Sequence, residues 1–459
     1  MNSRLASSFR DPSGFMFTSG ARLLRQINPI YQPHYEHLMA SRLYDELAGA
    51  GLLVRHAEVD PKSVKAVGAY KVIEPERAPV ITYPYEWSFS QLKDAALATL
   101  EAHRRALAHG MTLKDASAYN IQFINGRAVL IDTLSFEIAV EGRPWVAYRQ
   151  FCQHFIAPLA LMAHVDIRLG LLLREHIDGV PIDMAAKLLP RRTLLDFNLL
   201  AHIHAQAAAS KRARGGAGAA ADRRQHVSAQ GMIALAKGLI SAVKSFNWKP
   251  DLTRWADYYN QGDSYTSAGF EHKQKLVGEF LKESWAKTLL DLGANTGLYS
   301  RIAGGLDIFT LSTDSDPGAV ELNYQEVVKR KTTNILPALI DLTNPSPALG
   351  WANAERDSFA ERYSADCALA LALIHHLAIS NNVPLPAVAA FFASLSEWLI
   401  IEFVPKSDPK SQILLATRKD IFDGYTWEGF EAAFGETHKI QRAEPIADSE
   451  RRLCLMRRK

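Results

Sequence analysis

The chain is short of cysteine, of charge imbalance and of long apolar runs. Its three cysteines, Cys152, Cys367 and Cys454, are odd in number and far apart. They build neither a disulfide framework nor a C-x-x-C metal signature, so a reducing cytoplasm is the expected compartment. Lys plus Arg is 52 against Asp plus Glu at 49, a formal +3, which argues neither for nor against nucleic acid as a partner. No stretch reaches the roughly 18 uninterrupted apolar residues of a membrane span. The opening MNSRLASSFRDPSGF has no apolar core and does not read as a secretory signal. Basic residues gather at Lys211, Arg212, Arg214, Arg223 and Arg224, and again at Arg457, Arg458 and Lys459. They lack interleaved aromatics and give no nucleic-acid signature.

What is present is ordinary globular composition, 48% hydrophobic and 22% charged, over 459 residues, too many for one core. One compositional break divides the chain. Ala205 to Gln225 reads AQAAASKRARGGAGAAADRRQ, with almost nothing to bury, and is expected to be an exposed linker. The expected organisation is an α+β domain over 1–204, a linker and connecting helix over 205–245, and an α/β domain over 246–459.

In the first part, GFMF, ARLLRQI, GLLVRHAEV, RAPVITYPY and AVLIDTLSF read as strands. Tyr35–Ala50 and Ser90–His109 have helical periodicity, and 145–204 reads as mostly helical. In the second part, KTLLDLG, DIFTLSTD, TNILPALID, DCALALALI and WLIIEFV alternate with helical segments. That rhythm predicts a parallel sheet with crossover helices.

The strongest motif is Asp291-Leu-Gly293-Ala-Asn295-Thr-Gly297, between the strand KTLL and the helical LYSRIAG. Its glycines let a backbone turn approach a ligand that any side chain would displace. Acids follow at successive strand ends: Asp314, then Asp341, with Asp366 opening the fourth strand. Ligands of open parallel sheets bind at the carboxyl ends of strands, so Asp291, Gly293, Asp314 and Asp341 are expected in one crevice.

DLGANTG, TDSDP, IDLTNPSP, DCALALALIHHL and LIIEFVPKSD resemble the successive motifs of class I S-adenosylmethionine-dependent methyltransferases, over roughly residues 251–459. The final ETHKIQRAEPIADSERRLCLMRR resembles that fold's closing antiparallel hairpin. The resemblance implies a Rossmann-like domain with S-adenosylmethionine as cofactor. Gly293, Asn295 and Gly297 would hold the methionine moiety, Asp314 the ribose, and Asp341 with Leu342 the adenine. A nicotinamide dehydrogenase is disfavoured, because the loop is DxGxNxG and HHL follows the fourth strand. His375, His376 and Glu402 stand where substrates meet the cofactor in that fold, as proton-transfer candidates or wall residues. Trp255, Tyr258, Tyr259 and Tyr265 precede the sheet and read either as a lid or as a packed helix. Asn344-Pro345-Ser346-Pro347 is similar to the NPP motif of amino-group methyltransferases; it follows the third strand rather than the fourth and reads as a turn.

A second constellation is HGMTLKDASAYNIQFINGRAVLIDTLSFE, residues 109–137. Asp115, Asn120 and Asp132 have the order of an acid that orients a hydroxyl and two magnesium ligands. Their spacing resembles the protein-kinase and aminoglycoside-kinase superfamily, which implies ATP and magnesium. The departures are an insertion after His109-Gly110, no H-R-D triplet, and no Phe-Gly after Asp132. Arg22 and Arg25 stand where that family carries its lysine, with Glu36 or Glu46 as partners; arginine does not simply replace lysine there. Three readings follow: a methyltransferase, a bifunctional kinase–methyltransferase, and a scaffold of pseudokinase plus methyltransferase-like fold. Similarity to methyltransferases encoded with nodulation or polysaccharide functions implies a glycan or small-metabolite acceptor. Neither the site of methylation nor the oligomeric state is readable from the residues.

Overall fold

The structure is a computed structural model that describes residues 2–212, 226–250, 265–416 and 418–459. The chain divides into two compact units, the first formed by Met1–Lys249 with Leu349–Arg356, the second by Pro250–Ala348 with Asp357–Lys459.

The first unit is α+β. Its antiparallel sheet uses β1 (Asn2–Arg4), β2 (Gly14–Ser19), β3 (Arg22–Ile27), β4 (His56–Val59) and β5 (Lys71–Pro75), in the order β1-β2-β3-β5-β4. β2 and β3 join through the two-residue turn Gly20-Ala21, where Gly20 has φ +61° as a tight hairpin requires. The pairs β6 (Met111–Leu113) with β9 (Phe136–Ile138), and β7 (Ile121–Ile124) with β8 (Arg127–Leu130), follow the helix Phe89–Ala108. That helix opens on a capping box between Ser88 and Gln91.

Four sequence expectations change here. The helix expected over Tyr35–Ala50 is two, Gln32–Ala40 and Leu43–Gly49, because Arg42 takes φ +63° between them. RAPVITYPY forms no strand; Pro79 and Pro84 remove ladder donors, and Gln122 instead bonds Thr82 N and Thr82 O, at 2.9 Å each. GLLVRHAEV is a strand only at His56–Val59. The expected linker begins as a helix, Ala205–Arg212, as an alanine-rich run favours, and its remainder (213–225, with Arg214, Arg223 and Arg224) lies outside the described residues. The helix Ala229–Ser245 packs within the first unit, where Lys93 Nζ donates to Lys244 O (3.0 Å) and Phe246 O (2.6 Å).

The second unit is α/β. Its strands are β10 (Thr288–Leu292), β11 (Phe309–Asp314), β12 (Ile335–Leu339), β13 (Ala365–Ala370), β14 (Ser396–Phe403), β15 (His438–Pro445) and β16 (Arg452–Arg458). They lie in the order β12-β11-β10-β13-β14-β16-β15; β10 to β14 are parallel, and β16 runs antiparallel between β14 and β15. The five parallel strands bury both faces, so they read as near-continuous apolar runs such as Cys367–Leu371 and Leu399–Ile401. This is the Rossmann-like architecture of the class I methyltransferase fold, including its closing hairpin. It brings the ends of β10, β11, β12, β13 and β14 to one edge.

All three cysteines are buried and unpaired. Among the described residues, no helix is long and apolar enough to cross a membrane, and no three His, Cys, Asp or Glu side chains are gathered as for a metal ion.

Candidate functional site

The glycine loop is tied to its neighbour by backbone. Gly293 N and Ala294 N both donate to Thr313 O, at 2.9 and 2.8 Å, so the turn after β10 is fixed to the end of β11. Gly293, Asn295 and Gly297 have φ of +74°, +52° and +77°, a left-handed path that L side chains resist. At Gly297 a Cβ would stand 2.2 Å from Asn323 Oδ1, so packing and backbone both require glycine.

Asp314 closes β11 facing this loop. Its Oδ2 accepts from Asn295 N at 2.8 Å and its Oδ1 from Asp316 N at 2.9 Å. Burial pushes this carboxyl up to about 6, although those amides pull the other way. Asp291 is more enclosed. Its Oδ2 accepts from Ser300 Oγ at 2.6 Å, and Ser300 Oγ lies 2.7 Å from Ser312 Oγ, which accepts from Asn323 Nδ2 at 2.8 Å. Burial pushes Asp291 up to about 7, with the Ser300 hydrogen bond opposing and the charge of Asp314 adding. Ile340 N donates to Asp314 O at 2.8 Å, which sets Asp341 beside the same edge. Asp341 is exposed, and its Oδ1 accepts from Thr343 N (2.8 Å) and Thr343 Oγ1 (2.7 Å). Leu342 follows half-buried, and Asn344–Pro347 form a turn and loop. Asp366, at the opposite end of its strand, accepts from Lys287 N and Thr288 N and ties β13 to β10.

His375 and His376 open the helical segment after β13, with ring centroids 4.1 Å apart. His375 is buried and its Nδ1 has no hydrogen-bond partner; burial holds the ring well below its usual pKa, with His376 and Arg451 adding to the effect. Glu402, near the end of β14, is fully buried. Lys273 Nζ (2.6 Å) and Ala372 N (2.9 Å) donate to its Oε2, and Tyr265 OH and Arg451 Nη1 (3.2 Å) to its Oε1. Arg451 also holds Asp408 through two bonds of 2.7 and 3.0 Å. Burial alone would raise the Glu402 pKa, but Lys273 and Arg451 bring it to about 2.

Sequence reading missed Lys273, Arg451 and Asp408. A signal existed for Lys273: it occupies the apolar stripe Gly269, Leu276, Val277, Phe280, Leu281 of the helix Ser267–Ser284. Tyr265 is brought to Glu402, while Trp255, Tyr258 and Tyr259 lie outside the described residues.

In the first unit, Asp115 Oδ1 accepts from Ser117 N (3.0 Å) and Gln150 Nε2 (2.8 Å). Asp132 and Asn120 meet through Ser135, whose Oγ donates to Asp132 Oδ2 at 2.9 Å and accepts from Asn120 Nδ2 at 3.2 Å. Arg25, not Arg22, reaches this cluster. It pairs with Asp132 (3.0 Å) and Asp11 (3.4 Å), and Lys114 Nζ bonds Ser13 Oγ at 2.6 Å beside Asp11. Arg22 pairs with Glu74. Glu36 and Glu46, expected as arginine partners from the following helix, bind Tyr70 and Gln32, and Arg105 and His109, instead.

No family model matches the chain. It is 35% identical over 469 residues to the nodulation protein NoeA of Rhizobium meliloti (strain 1021), covering 99% of this chain and 96% of that one. Among solved structures, it is similar to the magnesium protoporphyrin IX methyltransferase ChlM of Synechocystis PCC 6803 with bound SAM, at TM-score 0.31 and 16% identity over 45% of this chain and 90% of that one. It is similar to the N-methyltransferase NodS of Bradyrhizobium japonicum WM9, at 0.32 and 11% over 42% and 97%. A further likeness is to the bifunctional kinase–methyltransferase WbdD, at 0.31 and 11% over 44% and 42%.

Proposed function

The chain belongs to the family of the nodulation protein NoeA, and from that premise we propose that its second unit transfers a methyl group from S-adenosylmethionine to a small-molecule or glycan acceptor. The observation that carries the reading is Asp314. It is a carboxylate at the end of the second strand, bonded to the amide of Asn295 in a left-handed glycine loop and, among the described residues, in no ion pair. A carboxylate so placed suits a pair of ribose hydroxyls. Gly293, Asn295 and Gly297 form the cradle for the methionine end, and Asp341 with Leu342 border the adenine.

Bound S-adenosylmethionine supplies an electrophilic methyl on a sulfonium. The protein's part is to align the acceptor for in-line displacement and keep water out. His375, a buried neutral imidazole with an unpartnered Nδ1, is the side chain proposed to take a proton from the acceptor where one must be lost, the acceptor's electron pair forming the bond to the methyl carbon as the carbon–sulfur pair stays on sulfur.

The bifunctional reading rests on Asn120 and Asp132 meeting through Ser135. The donor set does not fit magnesium–ATP as it stands: Arg25 already neutralises Asp132, and Asp115 closes on Ser117 and Gln150. We derive no phosphoryl step from it. Magnesium-dependent ATP turnover that is lost in Asp132→Ala would reinstate that reading.

The test is calorimetric titration of S-adenosylmethionine and S-adenosylhomocysteine into wild type and Asp314→Ala. The expected result is micromolar binding, about −8 kcal/mol, weakened at least about tenfold by the substitution. No binding by the wild type sinks the methyltransferase reading and leaves the scaffold in front.

A further inference from the structure

Glu402 stands where a proton-transfer residue would, yet its carboxylate has four lone-pair sites and four donors fill them: Lys273, Ala372 N, Tyr265 and Arg451. No site is left to take a proton from an acceptor. One of the four donors differs from the rest. Ala372 has φ +48°, a left-handed conformation that costs an alanine about 1 kcal/mol, and its amide is bonded to Glu402 Oε2 at 2.9 Å. Ala372 lies two residues past the end of β13. The next residue, Leu373, packs on the glycine loop, its Cδ1 3.4 Å from where a Cβ of Gly293 would stand. Leu373 O then accepts from His376 N at 2.9 Å and starts the helical turn that carries His375. The links run from Lys273 and Arg451 to Glu402, from Glu402 to the strained turn, and from the turn to Leu373 against Gly293.

We propose that Glu402 is a positioning residue for the cofactor site: its buried carboxylate, fixed by Lys273, Arg451 and Tyr265, clamps Ala372 in its left-handed turn and so sets Leu373 and His375 against the glycine loop. The proposal rests on the methyltransferase reading for its ligand, but the clamp can be measured without one. Loss of a carboxylate that only added stability would lower the melting temperature and leave affinity alone. A carboxylate that took a proton would not be replaced by a change in backbone freedom elsewhere. The clamp predicts that relief of the strain at Ala372 compensates for loss of Glu402.

The experiment titrates S-adenosylhomocysteine into wild type, Glu402→Gln, Ala372→Gly and the double variant, well below each melting temperature, and follows exchange of the Ala372 amide by mass spectrometry. Glutamine has one acceptor oxygen where the carboxylate has two, and no charge to hold Lys273 and Arg451, so Glu402→Gln is expected to weaken binding about tenfold and to deprotect that amide. Ala372→Gly, which removes the left-handed penalty, is expected to stay within about threefold of wild type and to recover at least about threefold in the double variant. A double variant no tighter than Glu402→Gln, with wild type binding, overturns the clamp alone. A wild type that binds no cofactor overturns the methyltransferase reading, and the clamp then stands or falls on amide protection. Should Glu402→Gln not fold, Tyr265→Phe removes one donor; a two- to fivefold loss, about 0.4–1 kcal/mol, is expected, and an unchanged affinity overturns the proposal.

Discussion

Each unit holds a pair of acids near a motif that announces chemistry, and the two pairs are in opposite electrostatic states. In the first unit Asp132 and Asp11 are matched by the protein itself, through Arg25 at 3.0 and 3.4 Å and, at Asp11, Lys114 at 3.5 Å. In the second, Asp291 and Asp314 are in no ion pair among the described residues, and burial pushes them up to about 7 and about 6. A buried carboxyl with a raised pKa and no ion pair is a candidate ligand site, whereas one paired inside the protein is accounted for by the fold. The motif order in the first unit resembles a phosphoryl-transfer site, and its acids differ from those of the second unit in being paired within the protein.

That contrast can be broken at several points. The largest effect is expected at Gly297→Ala, where the new Cβ would collide with Asn323 and meet a φ of +77°. S-adenosylhomocysteine binding should fall more than about a hundredfold by calorimetry, with a lower melting temperature.

Next is Asp291→Asn. The folded pKa of Asp291 is about 7, above the roughly 3.9 of an unfolded aspartate. The folded state therefore binds the proton more tightly, and stability from this group is lost as pH rises from about 4 to about 7. Asparagine can still accept from Ser300 and carries no charge, so the variant should be more stable than wild type at pH 8, on the order of 2 kcal/mol in urea. It should show no such gain at pH 4. A variant less stable at both values would mean that the charge is matched after all.

Arg25→Met should behave in the opposite way. It strands Asp132, while Asp11 keeps Lys114 at 3.5 Å, and is expected to cost about 1–3 kcal/mol in urea, while leaving S-adenosylhomocysteine affinity unchanged. A change in affinity would join the two units functionally and end the contrast.

The smallest effect is the pH dependence of binding. With burial pushing the Asp314 carboxyl up to about 6, the acceptor proposed for the ribose hydroxyls is protonated below that value. Affinity should be about tenfold weaker at pH 5 than at pH 8, and Asp314→Asn should flatten the profile.

The second unit was legible because parallel strands buried on both faces appear as continuous apolar runs, and those that became β10, β11 and β12 run into Gly293, Asp314 and Asp341. KTLLDLG, DIFTLSTD and WLIIEFV became β10, β11 and β14 in the order the sheet needs. The first unit was less legible, for local reasons. Pro79 and Pro84 sit in an apolar run that would otherwise be a strand, and Gln122, forty residues on, satisfies that backbone. Arg42 breaks a periodic helix by a left-handed turn that no composition rule places at an arginine.

The sequence by itself determined the sheet of the second unit, its glycine loop and the strand-end acids, because periodicity and glycine placement act within a few residues. Tertiary structure alone decided which charges are matched. Arg25 turns to Asp132 rather than to Glu36 or Glu46, and Lys273, Tyr265 and Arg451 converge on Glu402 from 129, 137 and 49 residues away. Ion pairs of that kind depend on distances of a few ångströms between segments remote in the chain, and a carboxylate's role follows from which cation, amide or ligand the fold brings within that reach.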